Sequence, residues 1–310
     1  MPISLPSFSR RRFLVGSAAA GLGMLAESVR AQVFGTDVIS AYADPNRLAL
    51  LSDTHVNERL SASSRGVTMA DNLWQVTREV LGMRDEPAHV LVNGDLAHLH
   101  GRASDYAMAV ALLAPLRRAG MPIHVALGNH DSREHLASVL PSFGTSTPVA
   151  PGRQVTVLEM PRANVIMLDS LNRTNQMRGA LGEAQLNWLA GALDARPNKP
   201  AIVFVHHHPE LGFNLIRGGI ADTAALMSVI SPRRQVKALF YGHTHVWSHK
   251  QQPDGLHLIN LPSTAYVFSG SQPNGWVDAQ LQPMGAQLQL NTINPRHPLH
   301  MQQLSLAWRA

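Results

Sequence analysis

Five short polar clusters hold most of the candidate chemistry of this 310-residue chain. In order they are Ser52-Asp53-Thr54-His55, Asn93-Gly94-Asp95, Gly128-Asn129-His130-Asp131, His206-His207-His208-Pro209 and Gly242-His243-Thr244-His245. Their carboxylate, imidazole and amide groups suit Zn, Mn or Fe. The chain has no cysteine, which removes thiolate nucleophiles, disulfides and Cys-ligated metal sites. Taken singly, each cluster fits a hydrogen-bonded turn or loop. Taken together and in this order, they fit a two-cation site. Two ions ~3.5–4 Å apart clamp the attacking and leaving oxygens of a phosphoryl transfer. One carboxylate must then bridge them. Asp95, on a glycine turn in the middle of the order, is the best candidate.

The elements that must position these clusters are legible in the hydropathy pattern. Residues 48–51, 89–92, 123–127, 201–205 and 236–241 are apolar runs, and each ends abruptly at one cluster. Such runs read as strands buried on both faces. Helix-length segments fall near 67–84, 104–119, 132–140, 182–195 and 221–230. The alternation predicts an α/β fold, in which ligands sit outside the carboxyl ends of the strands. Residues 155–160, 165–169, 246–250, 256–261, 275–281 and 286–290 read as turn-bounded antiparallel strands. One two-sheet domain is the economical reading, and a split near 145–165 is the alternative.

Composition narrows the partners. Hydrophobic residues make up 45% and charged residues 15%, too apolar for a disordered chain. The formal net charge is +5, but +3 of it lies in residues 1–31. The remainder has no basic stripe, so no nucleic-acid partner is expected. Ser9-Arg10-Arg11-Arg12-Phe13-Leu14 resembles a twin-arginine export signal. The apolar run over 13–25 is too short for a membrane span, which needs ~20 residues. Val29-Arg30-Ala31 predicts cleavage after Ala31. The expectations are a signal peptide over 1–31, a catalytic domain over 32–310 and handling by the twin-arginine machinery. The product would be periplasmic or secreted, with no anchor left after cleavage.

The motifs Asp-x-His, Gly-Asp, Gly-Asn-His-Asp, His-x-Pro and Gly-His-Thr-His, in this order, resemble the calcineurin-like metallophosphoesterase family over about residues 47–262. Leu168-Asp169-Ser170, the segment 181–189 and His-His-Pro further resemble the bacterial class III cyclic-nucleotide phosphodiesterase branch. The resemblance implies a four-layer α-β-β-α sandwich of two mixed sheets, with a dinuclear metal site at the strand ends. It implies a first metal on Asp53, His55, Asp95 and His245. The second metal takes Asp95, Asn129, His207 and His243, with His207 chosen because it stands two residues before Pro209. Strand alternation would point His206 and His208 away from the face that His207 uses. The resemblance further implies two divalent ions or an Fe(III)/divalent pair, drawn from Mn, Fe or Zn, with a metal-bound hydroxide as nucleophile. His130 faces the leaving group as general acid or transition-state stabiliser.

The reaction implied is hydrolysis of a small phosphoester, with a diester favoured. Two divalent ions against two carboxylates and a hydroxide leave only about one positive charge, and no Lys or Arg lies in the clusters. The alternatives are a phosphomonoesterase or phospholipid-head-group hydrolase, and a non-catalytic binding protein on the same fold. His98 departs from the family pattern, where protein phosphatases carry Asp and purple acid phosphatases carry Tyr. It cannot serve as an anionic partner for His130, and Asp131 is the possible substitute. Trp74 and Trp188 are expected in the core, Trp247 in the core or rim and His100 on the surface. Arg133, Arg173 and Arg217 could each reach a substrate phosphate, although exposed surface is the better reading for each.

Overall fold

A computed structural model describes residues 43–144, 152–211 and 218–310, all within one compact unit spanning Ile39–Ala310. The export signal expected over 1–31 and Arg217 lie outside the described residues. No helix among the described residues is long and apolar enough to cross a membrane.

The first sheet is built on β1 (Ala43–Leu51), β4 (Glu86–Asn93) and β5 (Ile123–Ala126). These three run parallel, through pairs such as Ala49 with Val90 and Val92 with Val125. β12 (Gly275–Gln282), β13 (Gly285–Thr292) and β14 (Gln303–Ala307) extend the sheet in antiparallel fashion from the other edge of β1. The order is β14-β13-β12-β1-β4-β5. The second sheet contains β6 (Thr156–Glu159), β7 (Asn164–Met167), β8 (Ala201–Phe204), β9 (Val236–Tyr241), β10 (Ser248–Gln251) and β11 (His257–Asn260). Its order is β10-β11-β9-β8-β7-β6. A small hairpin, β2 (Ser63–Ser64) and β3 (Val67–Thr68), stands apart.

Alternation along β1 explains the layering. Leu48 and Leu50 face the second sheet and pack with Val165, Phe204 and Phe240. Ala49 and Leu51 face the opposite way, into a core shared with α1 (Met69–Leu81), α2 (Ala103–Arg118) and α3 (Arg133–Phe143). The outer face of the second sheet packs Val203 and Leu239 against α4 (Glu183–Asp194) and α5 (Thr223–Ile230). The result is the expected α-β-β-α sandwich. The helices start where the sequence allows: Ser132 caps α3 by accepting a hydrogen bond from His135 N at 3.3 Å.

Three expectations need correction. β7 and β11 pair antiparallel on one side only. On the other side β7 runs parallel to β8, and β11 parallel to β9. A period-two apolar run is compatible with either direction, so local pattern does not choose between them. β14 has no counterpart in the sequence reading, because this edge strand is mostly exposed. Trp74 is 43% exposed rather than core. Trp247 is buried between the sheets as expected, and its indole donates to Gln302 at 2.7 Å.

Candidate metal centre

The five polar clusters follow β1, β4, β5, β8 and β9, and backbone hydrogen bonds knit them together. Asp53 N donates to Gly94 O at 3.1 Å and His55 N to Asp95 O at 2.9 Å. Across the two sheets, Asn93 Nδ2 donates to Val205 O at 3.1 Å. Gly242 N donates to His206 O at 2.9 Å, joining the two tips of the second sheet. Gly94 has φ +86, and a Cβ there would meet the His206 ring. Close approach of the tips therefore requires glycine at this position.

The side chains so gathered form two groups. Asp53, His55 and His245 make one, and Asp95, His206 and His243 the other; within each, the ligand atoms lie within 4.8 Å of one another. His55 Nε2 is 3.9 Å from Asp95 Oδ2, so Asp95 stands between the groups. His206 Nε2 is 3.4 Å from Asp95 Oδ2 and 3.9 Å from Asp53 Oδ1. Asn129 is buried close by and its Oδ1 has no hydrogen-bond partner. Asp53 Oδ1, His206 Nε2 and His207 Nε2 are likewise buried without partners. Unpaired buried polar atoms are costly. Several of them converging on one place fit cations that would satisfy them together.

Electrostatics says the same. Burial pushes His55 and His243 down to about 3. Burial also opposes charge on His206, yet Asp95 and Asp53 outweigh it and push His206 up to about 10. The same carboxylates are held below their usual range against burial, Asp53 chiefly by His245 and Asp95 chiefly by His206. The centre thus calls for positive charge, which bound metal cations would supply. Supporting hydrogen bonds orient the rings. His245 Nδ1 donates to Tyr266 O at 2.6 Å, leaving Nε2 toward Asp53 at 3.3 Å. His206 Nδ1 donates to Asn93 O at 2.8 Å. A carbonyl only accepts, so this bond directs the His206 Nε2 atom to the centre.

The sequence reading placed His207 in the second group; the structure brings His206 there instead. The alternation argument does not extend this far, because β8 ends at Phe204 and residues 205–209 leave the strand. His207 stays adjacent, its ring 4.8 Å from that of His243 and its Nδ1 2.7 Å from Ser170 Oγ. A hydroxyl can donate or accept, so this contact leaves the His207 tautomer open.

His130 lies on the open side of the centre, its ring 5.5 Å from that of His55, and both residues line the same cleft. Its main-chain nitrogen donates to Asp95 Oδ1 at 2.8 Å and its Nδ1 donates to Leu99 O at 2.9 Å. Nε2 is left for the cleft. Asp131 does not partner this ring. Its carboxylate accepts from Leu96 N, Ala97 N, Gly128 N and the Tyr106 hydroxyl, and so shapes the loop. His98 joins neither group; its ring is held by Asn57 at 3.3 Å, and His100 is exposed. Arg133 is committed to Asp169, with Nε donating at 2.6 Å, and Arg173 is exposed on the surface. Asp169 in turn is fixed by Gln185, which exchanges hydrogen bonds with its main chain at 3.0 and 2.8 Å. The Leu-Asp-Ser and 181–189 motifs thereby hold Ser170 beneath His207.

The family model for calcineurin-like phosphoesterases matches residues 46–247. This chain belongs to that family. The match covers all five clusters, so the chain is a metal-dependent phosphoric ester hydrolase with a dinuclear site. Among curated relatives, a 3′,5′-cyclic adenosine monophosphate phosphodiesterase CpdA of Vibrio vulnificus is 29% identical over 224 residues, covering 72% of this chain and 77% of that one. A "Probable cyclic nucleotide phosphodiesterase" of Rhodopseudomonas palustris is 33% identical over 205 residues, covering 64% and 71%. Among solved structures, a dimetal phosphatase from Danio rerio superposes with a TM-score of 0.67 at 17% identity, covering 86% of this chain and all of that one. That likeness concerns the fold.

Sequence reasoning missed two contributors to the site. Tyr266 stacks 5.0 Å from the His55 ring, and Phe268 lies 4.4 Å from the His245 ring. Neither sits in a strand-end cluster, and only the packing of the 261–273 segment under the clusters brings them there.

Proposed function

We propose that this family member is an exported phosphodiesterase, with two ions drawn from Mn, Fe or Zn at the paired Asp/His groups. The observation that carries the reading is the pair of largely buried groups Asp53/His55/His245 and Asp95/His206/His243 beside an open cleft that His130 also lines. Ions held there polarise phosphoryl oxygens and lower the pKa of a water toward neutrality. The chain's own residues do the rest. Asp95 spans the two groups, Asn129 offers an unpaired amide oxygen to the second, and His206 closes that group. His130, anchored through Nδ1, presents Nε2 to the leaving-group oxygen and, in its doubly protonated form, gives the Nε2 proton to that oxygen.

The diester preference rests on charge. Among the described residues, no lysine or arginine lines the cleft, and Arg133 is spent on Asp169. A dianionic monoester is commonly held by such cations. The names of the curated relatives point the same way. The deciding measurement is kcat/KM for bis(nitrophenyl) phosphate against nitrophenyl phosphate at pH 7–8 with Mn²⁺. The diester should equal or exceed the monoester, and a tenfold monoester preference overturns the reading. A parallel screen of cyclic nucleotides and glycerophosphodiesters identifies the natural class. Export is tested by replacing Arg10, Arg11 and Arg12 with Lys: periplasmic accumulation should cease, and undiminished accumulation refutes the twin-arginine route.

A further inference from the structure

The cleft over the metal centre has a volume of about 540 Å³ and two walls. One wall is the loop carrying Asn175 and Met177. It is tied to the Asn129 loop by Asn175 N donating to Asn129 O at 2.6 Å and by Thr174 Oγ1 donating to Asp131 O at 2.7 Å. The other wall carries Tyr266 and Phe268. Both walls end in a large apolar side chain in water: Met177 is 61% exposed and Phe268 56%. Exposed apolar groups scattered singly mean little, but two on the rim of one charged cleft mark a contact surface.

Phe268 is contacted on two sides. One contact is the His245 ring at 4.4 Å, and another is the Arg65 guanidinium, 4.7 Å from its ring centre. Arg65 is delivered by the two-residue turn of the β2–β3 hairpin, where Arg65 and Gly66 have φ of +50 and +82. That hairpin packs Ala62 and Val67 against Tyr266. The cation–π contact gives Phe268 a positive neighbour that a second cation must approach against repulsion. A substrate group that is flat, apolar and uncharged gains contact with Phe268 and Met177. A quaternary or primary ammonium group gains less and is repelled by Arg65.

We infer that Met177, Phe268 and Arg65 are specificity-determining residues of this centre. Met177 and Phe268 bind the organic group of the phosphodiester and Arg65 behind Phe268 biases the choice, favouring an aromatic group such as a nucleobase and disfavouring a cationic head group such as choline. This rests on the phosphodiesterase reading above and names the part of the substrate which that reading leaves open. It adds no step to the reaction: water still replaces one ester oxygen at phosphorus.

The test compares wild-type, Phe268→Ala, Met177→Ala and Arg65→Gln proteins, each checked for metal content. Substrates are 3′,5′-cyclic AMP and glycerophosphocholine, and binding of adenosine 5′-monophosphate and glycerol 3-phosphate is followed calorimetrically. Phe268→Ala and Met177→Ala should each cost about tenfold in kcat/KM for the cyclic nucleotide, mainly through KM, as expected for a lost aromatic or sulfur contact. The loss on glycerophosphocholine should be under about threefold, and adenosine monophosphate affinity should fall while glycerol phosphate affinity holds. Arg65→Gln should narrow the preference by raising turnover of the choline ester. Met177 stands on the wall opposite Phe268, so its variant keeps the test clear if Phe268→Ala loosens His245. Equal losses on both substrates with metal intact, or no loss on either, overturns the assignment while leaving the phosphodiesterase reading in place. A wild-type protein that binds adenosine monophosphate no better than glycerol phosphate also overturns it. Failure of the metal-loaded protein to cleave any diester instead removes the parent reading, and this inference with it.

Discussion

Asp53, His55, Asp95, His243 and His245 all adopt positive φ, between +46 and +68. Only Gly adopts this region freely, and other residues pay on the order of 1 kcal/mol or more. Five of them after β1, β4 and β9 mean that the chain bends sharply as it leaves these three strands, turning the side chains into the centre. Two outcomes follow at this scale. Replacing His130 by Ala should leave metal content intact and lower turnover of poor leaving groups by about 10²–10⁴-fold, the usual contribution of a general acid. The loss should shrink for nitrophenol esters, which need little protonation; equal losses would mean that His130 supplies something else. In the histidine run, His206→Ala should release more metal than His207→Ala, because His206 Nε2 lies within 4 Å of both Asp95 and Asp53. Elemental analysis decides it, and the reverse order would restore His207 as the ligand.

At the scale of the element, the turn after β5 leaves no room for a side chain at its glycine. A Cβ on Gly128 would fall against Asp95 Oδ1 and the Asp95 main-chain nitrogen. Gly128→Ala should therefore displace Asp95, costing at least one equivalent of metal and most of the activity. Gly191 gives the contrast. It lies inside α4 with open space where a Cβ would stand. Gly191→Ala should raise stability by roughly 0.5–1 kcal/mol, since glycine is a poor helix residue. Denaturant melts of both variants check the pair, and a silent Gly128→Ala would mean that Asp95 has more freedom than the packing allows.

At the scale of the whole molecule, the metal centre is a staple between sheets. Asp53, His55, Asp95 and Asn129 follow strands of the first sheet, and His206, His243 and His245 follow strands of the second. Without ions, the joint holds two buried carboxylates, Asp95 against His206 and Asp53 against His245 and His206. Ligands that bind only the folded state at ~1,000 times Kd stabilise by about 4 kcal/mol. For a domain of this size that corresponds to a Tm rise of roughly 10 °C. Chelation should lower Tm by about this amount and Mn²⁺ or Zn²⁺ should restore it, read by calorimetry. An unchanged Tm after verified metal removal would show that the sheets hold without the staple.

The primary sequence alone determined what is local. Apolar runs of strand length ended at Asp53, Asp95, Asn129, His207 and His243 clusters, so the α/β class, the strand-end location of the site and a Cys-free oxygen and nitrogen ligand set were all legible. Period-two and 3.6-residue patterns are properties of neighbouring residues, and they survive into the fold nearly unchanged: α2 was expected over 104–119 and spans Ala103–Arg118. The tertiary structure decided what depends on partners distant in the chain. Whether β11 runs parallel to β9 depends on the neighbour it meets, not on its own composition. Which of three adjacent histidines faces Asp95 depends on where β8 ends and on the Asn93 carbonyl, 113 residues away from His206. Arg133 looked free because its partner Asp169 is 36 residues away. Phe268 and Arg65 looked ordinary because the hairpin and the 261–273 segment meet only once the sheets have stacked. Contacts of that kind arise from burial and hydrogen bonding between separated segments, for which a single sequence carries no periodic signal.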